Sequence, residues 1–170
     1  MIEPTRLTAV PVKAVDFEEF FRAEHERLFQ ALYLLTGDAY EADDMSQEAL
    51  LRSYERWDRV SSMDSPAGYV YRTALNLYRS RLRKLAVRAR RVFAAIPTDD
   101  ISRSVATRHD VQEALAALPS GQREALVLVE WLGLGSEEAG RLLGIDASSV
   151  RGRLHRGRAS LRELLGDAND

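Results

Sequence analysis

The 170 residues contain no cysteine. A disulfide framework, a thiolate metal site and a cysteine nucleophile are therefore excluded. Long apolar runs are also missing, and no stretch approaches the roughly 20 residues needed to cross a bilayer. The N-terminus has no basic start followed by an apolar run, so a secretory leader is not expected and a cytoplasmic protein is. Net charge is small, −2 at neutral pH, which speaks against a protein that coats DNA nonspecifically. The histidines His25, His109 and His155 stand far apart, outside any H-E-x-x-H spacing, and no serine has a G-x-S-x-G context. Neither an enzyme nor a metal or cofactor site is expected. No segment alternates apolar and polar residues between hairpin turns, and no repeat recurs, so the fold class is all-α.

What is present is a strong segregation of charge. From Asp16 to Glu48 there are ten acidic residues, opposed only by Arg22 and Arg27, whereas Arg72 to Arg91 holds eight basic residues and no acid. One chain carries an acidic front, a basic middle and a basic C-terminal helix, which predicts two kinds of partner, one basic and one anionic.

Helical periodicity organises the chain into two small domains. Residues 1–15 read as a loose arm. Phe17, Phe20, Phe21, Leu28, Ala31, Leu32 and Leu35 follow one helical face, and Thr36-Gly37-Asp38 stops that helix. A second helix is expected from Tyr40 to Trp57, with Met45, Ala49, Leu50 and Leu51 inward and a dense acidic first half. That half suits the helix dipole, but also a docking face. A polar loop, 58–66, leads to Ser65-Pro66, a cap followed by proline at the first helical position. The third helix is expected to reach Arg90, burying Tyr69, Val70, Ala74, Leu77, Leu82 and Leu85. It interleaves Tyr69, Tyr71 and Tyr78 with arginines, a mixture suited to unpaired bases and phosphates. The first domain is thus 16–90. The period is lost over 91–109, read as a flexible linker, and a second domain follows over 110–170, with Asp110 expected to cap its first helix.

The most informative stretch is 136–165. Ser136 reads as an N-cap, Glu137 and Glu138 follow in the first turn, and Gly144 ends a short helix. Asp146, Ser148 and Ser149 can accept hydrogen bonds from the N–H groups that open the next helix. Val150, Leu154, Leu161, Leu164 and Leu165 form its expected buried side, and Arg151, Arg153, His155, Arg156, Arg158 and Arg162 occupy much of the rest. No acid lies between Asp146 and Glu163. Short helix, turn and arginine-rich second helix make a helix-turn-helix that would enter the major groove.

Longer motifs extend this reading. Ala42-Asp43-Asp44-Met45-Ser46-Gln47-Glu48 is similar to the A-E-D-L-V-Q-E run of region 2 in the extracytoplasmic-function (ECF) group of bacterial RNA polymerase sigma factors. Glu137-Glu138-Ala139-Gly140-Arg141-Leu142-Leu143-Gly144-Ile145 and Ser149-Val150-Arg151-Gly152-Arg153-Leu154-His155-Arg156 resemble that group's region 4 pattern. The chain resembles its short actinobacterial type from Asp16 to Leu165. The resemblance implies that Asp43, Asp44, Gln47 and Glu48 bind core RNA polymerase through the β′ clamp helices, with the β subunit as a further partner. It implies that Arg72, Asn76, Arg79, Ser80 and Arg83 hold the melted −10 element of promoter DNA. Ser148, Ser149, Arg151, Gly152, His155 and Arg156 would read the −35 element. The linker would thread toward the RNA exit path, and an anti-sigma factor is a partner of the kind the family uses. Ser46, Gly140 and Gly152 depart from the pattern, and each glycine removes up to about 1 kcal/mol of helix propensity. The rival readings are a helix-turn-helix regulator that binds duplex DNA by itself and an interaction module that sequesters a protein.

Overall fold

The computed structural model describes residues 16–91 and 106–166. The expected N-terminal arm, most of the linker and the last four residues lie outside them. The elements are α1 (Phe17–Thr36), α2 (Ala39–Tyr54), α3 (Trp57–Val60), α4 (Pro66–Arg91), α5 (Ala106–Ala117), α6 (Ser120–Leu126), α7 (Ser136–Leu143) and α8 (Ala147–Gly166). No strand occurs among the described residues, as the all-α reading requires.

In the first half, α1, α2 and α4 pack together and α3 follows α2. Leu28, Leu32, Met45 and Val70 are almost wholly buried between them. Ser46, which replaces an aliphatic residue of the family pattern, is buried too, and its hydroxyl donates to the Asp43 carbonyl at 2.9 Å. The polar atom is satisfied, so the substitution leaves no unpaired group in the core. Ser65 caps α4 as expected, accepting from the Gly68 N–H at 3.0 Å.

In the second half, α6 and α7 pack on α8. Here α6 does not continue as an α-helix. It widens into a π-helical turn, Val127–Trp131, closed by the Leu132 N–H donating to the Val127 carbonyl at 3.0 Å. The widened turn aims Trp131 and the Leu132 carbonyl at α1. The Trp131 Nε1–H donates to the Arg27 carbonyl at 3.1 Å, and the Arg27 guanidinium donates to the Leu132 carbonyl at 2.6 Å.

The two halves share one continuous apolar cluster, running from Phe20 and Leu32 through Tyr78 and Leu115 to Val150 and Leu154. α1 packs on α5 and on the π-helical turn, and α4 on α7. Periodicity within each half could not foresee this closed arrangement.

Several expectations need correction. Leu51, Leu82 and Leu85 are 54, 39 and 57% exposed rather than buried. The last two lie where α4 extends past its neighbours. Leu164 is also exposed, and only Val150 and Leu154 of the five expected α8 residues are fully buried. A short helix, α3, occupies the start of the expected loop after Trp57. Gly135, not Ser136, is the N-cap of α7, and Asp110 lies inside α5 rather than capping it.

The helix-turn-helix angle depends on two glycines. Gly144 ends α7 at φ +70°, a left-handed conformation that costs other residues strain. At Gly140 a Cβ would stand 2.7 Å from the Ile145 carbonyl oxygen, a backbone atom that cannot rotate away. Gly140→Ala gains up to about 1 kcal/mol of helix propensity but forces overpacking worth ~1–3 kcal/mol. The expected result is a lower melting temperature in a thermal scan. An increase would mean that the turn relaxes freely.

Candidate nucleic-acid interface

Three polar surfaces lie on this scaffold. The first is the outer side of α2. Successive turns place Asp43 beside Gln47 and Asp44 beside Glu48. The Gln47 amide donates to Asp43 at 2.7 Å, and Arg52 donates to Glu48 at 2.7 Å. Asp44 is the most open of the acids, with its side chain 69% exposed. It pairs with Arg81 of α4, which also reaches Glu41 at 2.6 Å. Both carboxylates raise the Arg81 pKa, Glu41 the more strongly. Sequence reasoning missed Arg81 as a partner of this face. Its side chain leaves α4 away from the Arg72–Asn76–Arg79–Arg83 stripe.

The second surface is α4 itself. Arg72, Asn76 and Arg83 are exposed along one stripe, and Ser80 is half-buried beside it. Arg79 belongs to the same stripe but faces the other half of the molecule. Its Nη2 and Nε donate to the two carboxylate oxygens of Glu124 at 2.8 and 3.2 Å, and the Glu124 side chain is only 6% exposed. This bond raises the Arg79 pKa. Two of the three tyrosines expected to stack on bases belong to the core instead. Tyr71 and Tyr78 are 4 and 2% exposed. The Tyr71 hydroxyl donates to Glu24, and burial together with that carboxylate pushes its pKa up. The Tyr78 hydroxyl donates to the Leu35 carbonyl at 3.4 Å, and burial raises its pKa as well. Tyr69 alone stays half-buried, within 3.5 Å of Arg56. It lines an open cleft with Arg59, Ser65, Arg72, Glu138 and Arg141.

The third surface is α8. Its N-terminus is capped by Asp146, which accepts from the Ser149 N–H at 2.8 Å. Contrary to the expectation from sequence, the Ser148 and Ser149 hydroxyls do not cap the helix but donate to the same carboxylate. These bonds, the Ser148 hydroxyl first, hold Asp146 well below the usual carboxylate range. The arginines of α8 divide by direction. Arg158 pairs with Glu130 at 2.8 Å. Arg153 lies so close over Gly121 that a Cβ there would stand 2.8 Å from its guanidinium. Arg151, His155 and Arg156 point to solvent, and half-buried Gly152 lies beneath the Arg156 guanidinium. The outward set is the one expected to face DNA.

Comparison with known proteins connects these surfaces. Residues 20–88 match the Sigma-70 region 2 family, and residues 108–161 match Sigma-70 region 4. The RNA polymerase sigma-E factor of Streptomyces coelicolor is 32% identical over 90% of this chain and 88% of its own length. The chain belongs to the ECF sigma factors. The ECF sigma factor SigM of Mycobacterium tuberculosis is 30% identical over 90% of the chain and 79% of its own length. A solved structure of the sigma factor RpoE with the anti-sigma factor NepR from Bartonella quintana has the same fold. Its TM-score is 0.76 at 22% identity, over 89% of this chain and 97% of that one. As a sigma factor, the chain directs promoter-specific transcription initiation with core RNA polymerase. A regulator working through its helix-turn-helix alone would not account for the region 2 match. No helix among the described residues is long and apolar enough to cross a membrane.

Proposed function

We propose that the work of this sigma factor is divided among three faces of one cytoplasmic, non-catalytic chain. Asp43, Asp44, Gln47 and Glu48 on α2 dock on the β′ clamp helices. Arg72, Asn76, Arg79, Ser80 and Arg83 on α4 hold the melted −10 strand. Ser148, Ser149, Arg151, Gly152, His155 and Arg156 meet the −35 duplex, with Asp146 fixing the two serines in place. Residues 16–90 act as one unit and 110–170 as another, joined by 91–109, and an anti-sigma factor is a natural partner for either.

The observation that carries this reading is the sorting of cations on α8. Arg158 is paired with Glu130 and half-buried Arg153 lies over Gly121, while Arg151, His155 and Arg156 are left facing outward at the exposed end of a helix-turn-helix. A merely solvated basic helix has no need of such sorting. Bidentate pairing of arginine with a guanine edge then makes Arg156 a base reader.

Promoter-directed transcription with purified core polymerase tests the reading. Arg156→Ala is expected to weaken promoter binding by about 1–3 kcal/mol and to relax preference at one −35 position. An equal loss on every sequence would reassign Arg156 to a phosphate.

A further inference from the structure

One cavity lies apart from the three polar surfaces. It is an open groove of about 740 Å³ between α1 and α5, with Trp131 of the π-helical turn as a further wall. That volume falls within the roughly 300–1,000 Å³ of small-molecule sites. Ala23, the Tyr33 ring, Leu34 and Val111 make the groove largely apolar. The Trp131 ring is 45% exposed, yet the Arg27 carbonyl holds its Nε1–H and so fixes its place. Tyr33 is braced as well, stacked on Phe29 with ring centroids 6.4 Å apart. Two aromatic side chains are thus fixed with surface to spare. π-Helical turns are rare and occur frequently at functional sites. The effect of this one is to bring Trp131 to the groove.

Most polar groups around the groove are already engaged. Glu26 accepts from the Gln30 amide at 3.0 Å, and Arg27 donates to the Leu132 carbonyl at 2.6 Å. Gln112 is different. Its Nε2 reaches the Leu34 carbonyl only at 3.5 Å, and its Oε1 is buried without a hydrogen-bond partner. A buried amide oxygen with no donor is costly and rare, and it calls for an explanation. The last torsion of a glutamine is soft, so a small turn of the amide presents that oxygen to a donor in the groove.

We infer that this groove binds a small, uncharged aromatic molecule carrying an N–H group, with its ring against Trp131 and its N–H donating to Gln112. The ring is required by Trp131 and Tyr33, and the N–H by the unpartnered oxygen. A charged ligand is disfavoured on two grounds. Glu26 and Arg27 are opposite in sign and each is already bonded, and an apolar wall penalises an unpaired ion. The site is independent of the polymerase and DNA assignments, because none of its lining residues belongs to α2, α4 or α8.

A fluorescence titration of the full chain with 1-aminoanthracene tests this. The probe is neutral, flat and an N–H donor, and it brightens in apolar surroundings. Saturable one-to-one binding at micromolar concentration is expected. A hundredfold excess over the Kd should raise the melting temperature by roughly 5–10 °C. Ala23→Trp fills the groove from an exposed position on α1 and should weaken binding at least about tenfold. The parent should prefer the probe to its N,N-dimethyl derivative, which has no N–H, by about tenfold, the size of one hydrogen bond. Gln112→Met keeps the length of the side chain without the acceptor and should abolish that preference. Circular dichroism identifies any variant that fails to fold. No saturable binding by the parent would overturn the inference, and so would undiminished binding by folded Ala23→Trp. Equal affinity of the parent for both probes would remove Gln112 and the N–H from it. A synthetic peptide of residues 1–15 should leave the bound probe in place. Competitive displacement would make the chain's own N-terminal stretch the occupant and sink the small-molecule assignment.

Discussion

Asp44→Arg abolishes association with core RNA polymerase and leaves the helical content unchanged. Asp44 is exposed on the outer face of α2, so no buried group depends on it. Its pairing with Arg81 is a surface ion pair, and such pairs contribute little, about 0–1 kcal/mol. Reversing the charge places two guanidinium groups near each other, and the arginine side chains can swing apart into solvent. At an interface the arithmetic differs. Removing one partner of a desolvated charge pair costs about 2–5 kcal/mol, and a like charge there adds repulsion. The loss of binding is therefore at least on the order of 100-fold. Co-elution with core polymerase on gel filtration measures it, with circular dichroism as the folding control. Arg81→Gln serves as the counter-experiment, because it frees Asp44 and Glu41 without changing the acidic face. Its binding should equal or slightly exceed that of the parent. If Asp44→Arg co-eluted normally, α2 would not be the docking face.

Leu32→Ala is the second large effect, and it acts on the whole molecule. Leu32 is 1% exposed and belongs to the cluster that continues from α1 through α5 into α8. Deleting its methyl-bearing carbons leaves a cavity between packed helices, at a cost of about 2–5 kcal/mol. For a chain of this size each kcal/mol lowers the melting temperature by roughly 2–4 °C, so a drop of about 5–15 °C is expected. Because the cluster is continuous across both halves, calorimetry should show one transition that moves as a unit. Two transitions, with only the first shifted, would show that the halves melt independently. A shift below about 2 °C would mean that the α1 interface repacks. Arg156→Ala, on an exposed face, should leave the melting temperature unchanged, which separates recognition from stability.

Most of the helices and several of their ends were legible because local physics decides them, although Ser136 and Asp110 proved not to be caps and α3 was not foreseen. The period of apolar residues marks the inward face of α1, Ser65-Pro66 opens α4, and Gly144 ends α7. The exposed side of α8 was legible in part: Arg151, His155 and Arg156 face solvent as expected, whereas Arg153 lies half-buried over Gly121 and Arg158 pairs with Glu130. Errors came where a neighbour decides burial. Leu82 and Leu85 have the same period as Ala74 and Tyr78, but α4 outruns the helices that would cover them. Tyr71 and Tyr78 looked like stacking platforms until Glu24 and the Leu35 carbonyl proved to be waiting for their hydroxyls. At Ser148 and Ser149 the expected role was reversed: of the three expected acceptors only Asp146 takes a helix-opening N–H, that of Ser149, and both hydroxyls donate to its carboxylate.

By itself, then, the order of residues determined the helical class, the family motifs and most of the polar side chains exposed on α2, α4 and α8, because each depends on residues within a few turns of one helix. Only the tertiary structure decided that Arg79 would meet Glu124, that Arg81 would brace Asp44, and that a π-helical turn would carry Trp131 to Arg27. Those contacts join residues 37 to 104 positions apart in the chain. No local pattern encodes them. They arise when amphipathic helices, each with an apolar side to hide, close into a single core and bring distant charges within reach.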